Sequence, residues 1–338
     1  MTRFSMPAIV TVGALATLLA GCLERKETIR VHPDGAAEVR LELRGDVGDF
    51  SGGDALPTED SGWNVTSEDV KSENKEERVL RADRTVKAGE ELPDSYAISG
   101  DPEHEAALRF PGHVKVEKRE DGTYYHFYRE YQPREHQRFE HAKKLLGAEE
   151  KLAGFEGDPA EMSDEQRRTL LELLRGLEAH KRSEFVMAAA RSIEDWPQDY
   201  ALRLRAAVLD EFERAPLEPL LALLSQEQSG ARDERIDDVA NDLFKDVDQR
   251  LDAELTELGV SRQQRQEFDA AMDLQEARRA ATEDIGDERF EVRIELPGEV
   301  ILHNGKLSDD GFVTWEFDGQ ALYDRSELLM ATSRVERR

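Results

Sequence analysis

The chain has 338 residues, 46 of them basic and 74 acidic, for a formal net charge of −28 at pH 7. An acid excess of this size excludes a nucleic-acid binder, whose affinity rests on cations that neutralise phosphates, and argues against lying flat on anionic lipid. The length is that of about two domains, and a 38 % hydrophobic fraction gathered into periodic stretches predicts folded domains with thin cores and not general disorder.

At the N-terminus one positive charge, Arg3, precedes an apolar run from Phe4 to Ala20 that is interrupted by Pro7 and Gly13. This is the layout of a secretory signal peptide; a comfortable membrane span takes about 20 uninterrupted residues. Cys22 is the only cysteine of the chain, which excludes an internal disulfide. Leu19-Ala20-Gly21-Cys22 resembles the bacterial lipoprotein signal. The resemblance implies cleavage between Gly21 and Cys22 and acylation of the Cys22 thiol, a group that alkylates to a stable thioether. The plainer alternatives are an ordinary signal peptide or a buried free thiol. Two or more acyl chains anchor a protein stably where one does not, so a membrane held through acyl chains on Cys22 is the first expected partner. By the same resemblance, Leu23 in place of Asp implies the outer membrane, facing the periplasm. Arg3 is the one charged residue of 1–21, so the mature chain would carry −29.

Residues 27–44 predict a hairpin: Ile29 and Val31 alternate with polar residues, Pro33-Asp34-Gly35 marks a turn, and Val39, Leu41 and Leu43 alternate again. Residues 45–61 read mainly as loop. Residues 63–70 and 77–86 alternate and suggest a second hairpin turning at Ser72 to Lys75. A third is signalled by Asp121-Gly122, with Val114 and Val116 leading in. On its outgoing strand Tyr124, His126 and Tyr128 share one face and Tyr125 and Phe127 the other.

From Pro133 the period changes, and 134–285 reads as nearly all helix. Ser163 and Gln166 fit a capping box, Pro197 opens a helix bearing Leu202, Ala206, Leu209 and Phe212, and Pro216 and Pro219 frame a short apolar helix. The clearest stripe runs Ile236, Val239, Ala240, Leu243, Phe244, Val247, Leu251, Leu255 and Leu258, at spacings of three and four. Gly259 ends it, Ser261 caps the next helix, and residues 262–284 form a last, weaker helix around Phe268, Ala271 and Met272. No fixed repeat period is present. Strand alternation returns at Arg289 with Phe290, Val292, Ile294 and Leu296, then around an Asn304-Gly305 turn, over Phe312 to Phe317, and in a final stretch from Glu327 to Val335.

The predicted fold class is α+β: an antiparallel sheet domain interrupted by an all-α insertion. The expected segments are a signal peptide at 1–21, the first part of the β domain at 22–133, the helical insertion at 134–286, and the second part at 287–338. Isolated C-terminal strands would leave open edges and little core, so joining the earlier strands is the simplest arrangement.

With these residues in view, the segments around Asp34-Gly35 and from Pro297-Gly298-x-Val300 through Asn304-Gly305 to Trp315 resemble the LppM-type domain of bacterial lipoproteins. The resemblance covers some 45 residues and implies an α/β module able to shelter something apolar; it brings no catalytic residue. The helical insertion is a departure from the short form of that family.

The chain contains no Gly-rich phosphate loop and no nucleophile elbow. The nearest approach to a metal motif is His136, Glu140 and His141, but a five-residue interval on a helix puts the two histidines about 140° apart, too divergent for one ion. Trp63, Trp196 and Trp315 read as core anchors. The expectations are therefore no catalytic residue, no cofactor and no metal, no nucleic acid, and a structural or protein-interaction module with a protein partner bound through the helices of 134–286. The alternative is a carrier or sensor of an apolar ligand held in the β domain.

Overall fold

The computed structural model describes residues 23–50, 55–71, 76–98, 105–148, 151, 159–226 and 229–337. The chain is mixed α+β, with helices lying between N-terminal and C-terminal strands, and it divides into two compact units. Among the described residues one unit is Gln137–Gln275; the other comprises 23–136 and 276–337. No helix among the described residues is long and apolar enough to cross a membrane.

The strand unit opens with β1 (Glu24–Val31) and β2 (Ala37–Asp46), joined by the turn at Pro33-Asp34-Gly35. There Gly35 takes a φ of +91°, and the Asp34 carboxylate accepts from the Ala36 amide at 3.0 Å. β3 (Asn64–Lys71) and β4 (Glu76–Val86) follow as an antiparallel pair, and then β5 (Gly112–Arg119) and β6 (Gly122–Tyr131). After the helices come β7 (Arg289–Glu295), β8 (Glu299–His303), β9 (Lys306–Leu307), β10 (Phe312–Asp318) and β11 (Glu327–Glu336). The expected turn between Ser72 and Lys75 lies outside the described residues.

These strands form two sheets where the sequence suggests one. The first has the order β3-β4-β2-β1-β7-β10-β9 and the second β5-β6-β11-β8. The returning C-terminal segment therefore contributes to both. Its first strand, β7, runs parallel to β1, with Ile29 opposite Ile294; the other pairs are antiparallel. A parallel pair needs a long crossover, and here β2 to β6 and all the described α-helices lie between the two strands in the chain. One hydrophobic core draws on both sheets: Ile29, Val39, Leu41 and Leu43, Val292 and Ile294, and Val313 and Trp315 from the first; Phe127, Tyr131, Leu329 and Ala331 from the second.

One turn is shifted from its expected place. Arg119 pairs with Gly122, so the two-residue loop is Glu120-Asp121 and Gly122 already lies in β6. Its glycine serves packing: a Cβ there would sit 2.4 Å from the Val335 carbonyl oxygen of β11.

The helical unit contains α1 (Gln137–Leu146), α2 (Asp164–Ser192), α3 (Gln198–Arg214), α4 (Glu218–Leu224) and α5 (Gly230–Glu257), with the start of α6 (Arg262–Asp284). Ser163 and Gln166 form a reciprocal capping box at the start of α2. Phe185, Val186 and Ala189 of α2, Leu204, Val208 and Phe212 of α3, Val247, Leu251 and Leu255 of α5, and Phe268 and Met272 of α6 make one core. A smaller cluster joins Leu171, Leu217, Leu223, Leu224 and Ile236. The three-and-four stripe predicted over 236–258 is thus the inward face of α5.

Candidate functional site

Gly21 and Cys22, the expected cleavage and acylation site, lie outside the described residues. The next residue does not: Leu23 is 3 % exposed, and its carbonyl accepts from the Arg289 amide at 2.9 Å. β1, which starts one residue later, sits between β2 and β7 near the middle of the seven-stranded sheet.

The face that β1 turns to the core carries Arg25, Glu27, Ile29 and Val31 in alternation, all buried. Two charges on a buried face require partners, and each has one. The Arg25 guanidinium makes two parallel bonds to the Glu288 carboxylate, one of them 2.8 Å long. The same guanidinium lies 5.7 Å from the Tyr96 ring centre and 5.6 Å from that of Phe290, within cation–π range. Glu27 bonds to Arg129 of β6, and so ties the two sheets together across the core. The Tyr131 hydroxyl also donates to Glu27, at 3.3 Å, and Arg129 donates to the Pro93 carbonyl at 3.2 Å. Arg129 is 0 % exposed and its guanidinium lies 5.2 Å from the Phe110 ring centre.

The network balances two cations against two anions, so it carries no net charge into the core. Burial alone would lower the pKa of Arg129, but the Glu27 carboxylate and Tyr131 outweigh it and hold the guanidinium above its ordinary value. Burial, reinforced by Glu27, pushes the phenols of Tyr96 and Tyr131 well above theirs. The consequence for stability has a definite sign. A tyrosine in the unfolded chain ionises near pH 10, whereas the folded chain keeps these two neutral; their contribution is complete below about pH 10 and is lost as pH rises towards the raised folded values. Denaturant midpoints measured from neutral to strongly alkaline pH should hold steady and then fall, by up to roughly 1.4 kcal/mol per pH unit for each tyrosine. Phenylalanine at both positions should flatten that fall.

The positions carrying the LppM-type resemblance all do structural work. The Asn304 side-chain oxygen accepts from Trp315 Nε1 and from the Met330 amide, both at 2.8 Å, while its Nδ2 donates to the Leu328 carbonyl at 2.6 Å. One amide thus joins β10 of the first sheet to β11 of the second. Gly305 must be glycine, because a Cβ would meet the Thr314 carbonyl and the Trp315 ring at 2.7 Å. Gly298 adopts a φ of +85°, the Pro297 carbonyl accepts from the Ser333 hydroxyl at 2.7 Å, and Val300 is half-buried against the core. At the Pro33-Asp34-Gly35 turn, the Pro33 carbonyl accepts from the Tyr125 hydroxyl at 2.7 Å.

The histidine motif is not brought together as a helical cluster. His136 precedes α1 and stacks on Tyr323 with ring centres 3.8 Å apart. Glu140 pairs with Lys143 at 2.7 Å. Among the described residues no group of three His, Cys, Asp or Glu side chains is placed to hold a metal ion. Trp63 and Trp315 are buried as expected, while Trp196 is half-buried and stacks on Phe268.

No protein family matches the chain, and no curated protein is similar to it. Among solved structures, the NMR structure of the folded domain of the Mycobacterium tuberculosis LppM protein aligns over 94 % of this chain and 92 % of that one, at 8 % identity and a TM-score of 0.28. So distant a likeness bears on neither fold nor function.

The sequence reading missed Arg25, Glu27, Arg129 and Glu288. The signal was present for three of them. Arg25 and Glu27 share the period-two face of Ile29 and Val31, and Arg129 falls between Phe127 and Tyr131 on the inward face of β6.

Proposed function

We propose that this chain is a lipid-anchored protein of the cell envelope whose folded part serves as a structural or protein-interaction module and not as an enzyme. One observation carries the reading: Leu23, the residue directly after the cysteine of the Leu-Ala-Gly-Cys box, is buried and its carbonyl is bonded to the Arg289 amide of β7. Cleavage between Gly21 and Cys22 leaves every strand whole. Cleavage a few residues further on would remove part of β1, which lies between β2 and β7 and holds both Arg25 and Glu27.

Acyl chains on Cys22 then form the membrane contact, and Leu23 in place of Asp points to the outer membrane, facing the periplasm. The helices of 134–286 are the part we assign to a protein partner. The outward side of α5 presents Asp237, Asp238, Asp242, Asp246, Asp248 and Asp252, all exposed, so the partner surface that fits it is basic. An apolar cargo in the strand unit would have to displace Glu27, Arg129 and the aromatic rings around them from between the sheets, so the carrier reading gains no support from the packing. Mass spectrometry of the N-terminal peptide from the full chain, expressed in a bacterium that makes lipoproteins, tests the anchor. The expected peptide begins at Cys22 and carries the added mass of acyl chains; one that begins elsewhere, or an unmodified Cys22, refutes it.

A further inference from the structure

The two residues of the Asn304-Gly305 turn are each fixed by the fold, and together they are chemically reactive. The chain has four asparagines, Asn64, Asn74, Asn241 and Asn304, and only Asn304 precedes a glycine. Asparagine is among the thermolabile residues. A following glycine has no Cβ to shield its peptide nitrogen, which leaves the asparagine side chain open to attack by that nitrogen. Neither residue is open to replacement. The Asn304 side chain accepts from Trp315 Nε1 and the Met330 amide and donates to the Leu328 carbonyl. A Cβ at position 305 would come within 2.7 Å of the Thr314 carbonyl oxygen and the Trp315 ring. The turn joins β8, at the edge of the four-stranded sheet, to β9, at the edge of the seven-stranded one. Ile301, Leu302 and Leu307 on these strands are exposed, so the hairpin can open while giving up little buried surface.

We propose that Asn304 is a site of spontaneous deamidation, restrained by its three hydrogen bonds and released when the β8–β9 hairpin opens. In the open hairpin the Gly305 nitrogen attacks Asn304 Cγ. The proton of that peptide N–H leaves with the side-chain nitrogen as ammonia, and a succinimide ring closes. Water then adds to one of the two ring carbonyls and opens the ring. The product is aspartate or, where the main chain now runs through Cγ, isoaspartate. Ring closure turns Cγ towards the next backbone nitrogen, and so breaks the bonds that hold the amide to β10 and β11. The closed hairpin is not regained intact. An aspartate sets a carboxylate oxygen where Nδ2 stands, 2.6 Å from the Leu328 carbonyl oxygen, and neither of these two acceptors has a proton to share. An isoaspartate adds a main-chain carbon between β8 and β9. Either product weakens the tie between β10 of the first sheet and β11 of the second.

The test follows the full-length chain, folded and unfolded in urea, at one mildly alkaline pH. Trypsin releases residues 294–306, in which Asn304 carries the one side-chain amide. Mass spectrometry of this peptide reads the conversion of amide to carboxyl, and an isoaspartyl methyltransferase reads the isoaspartate. A net hydrogen bond shifts an equilibrium about fivefold, so the three should slow the folded chain about 100-fold relative to the unfolded one. Trp315→Phe keeps a ring in the core and removes one donor. It should speed conversion in the folded chain about fivefold, with amide protection of β1 and β2 showing that the variant is folded. Equal rates in the folded and unfolded chain overturn the restraint. A folded Trp315→Phe variant that reacts no faster than the unaltered chain overturns its assignment to these bonds, and no conversion in the unfolded chain overturns the site. Should Trp315→Phe not fold, the comparison of folded and unfolded unaltered chain decides alone.

Discussion

Arg129→Met is expected to destabilise the strand unit by about 3–5 kcal/mol, the range found when one partner of a buried ion pair is removed. Arg129 is fully buried and Glu27 is 3 % exposed, so the substitution leaves a carboxylate in the core with only the Tyr131 hydroxyl, at 3.3 Å, to serve it. The loss should come from the orphaned charge and not from lost packing, since methionine fills much of the arginine stem's volume. Adding Glu27→Leu to the same chain removes the orphan, and the double variant should recover most of the loss, because apolar replacement of a whole buried pair is often neutral or stabilising. Denaturant unfolding of the two single variants and the double variant measures this cycle directly. Additive losses would mean that the two side chains do not act as a pair.

Phe212→Ala is expected to cost the helical unit about 3–5 kcal/mol, the usual range for truncating a buried phenylalanine. Phe212 is 1 % exposed, packs edge-on against Phe244 with ring centres 6.1 Å apart, and belongs to the core shared by α2, α3, α5 and α6. Because the chain divides into two compact units, its unfolding need not be a single two-state transition. Amide exchange should quicken in α2, α3 and α5 while β1, β2 and β6 keep their protection. Uniform loss of protection along the whole chain would mean that the two units unfold as one.

Local features were legible because their causes are local. Alternation marked each long strand, the Ser163 and Gln166 box marked the start of α2, and the stripe from Ile236 to Leu258 marked the buried face of α5. The pairing of β1 with β7 was not legible, since Ile29 and Ile294 are brought together across 265 residues and nothing in either strand encodes the partner. For the same reason the division of the C-terminal strands between two sheets could not be read. The Asp121-Gly122 dipeptide misled by one position because its glycine answers to the close approach of β11 and not to turn geometry. The charge network was half legible. The period-two face of β1 places Arg25 and Glu27 inside, but a charged residue on such a face reads equally well as a strand exposed at a sheet edge until the partners Glu288 and Arg129 are found. The Leu-Ala-Gly-Cys box, by contrast, is contiguous, so it was legible from the sequence without any long-range contact.

The most direct measurement is the distribution of full-length protein and its Cys22→Ser variant between membrane and soluble fractions after a high-salt wash. The account predicts that the unaltered protein stays with the membranes and that the serine variant, lacking a thiol to acylate, is released as a folded soluble chain. A serine variant that still sediments with washed membranes would contradict it.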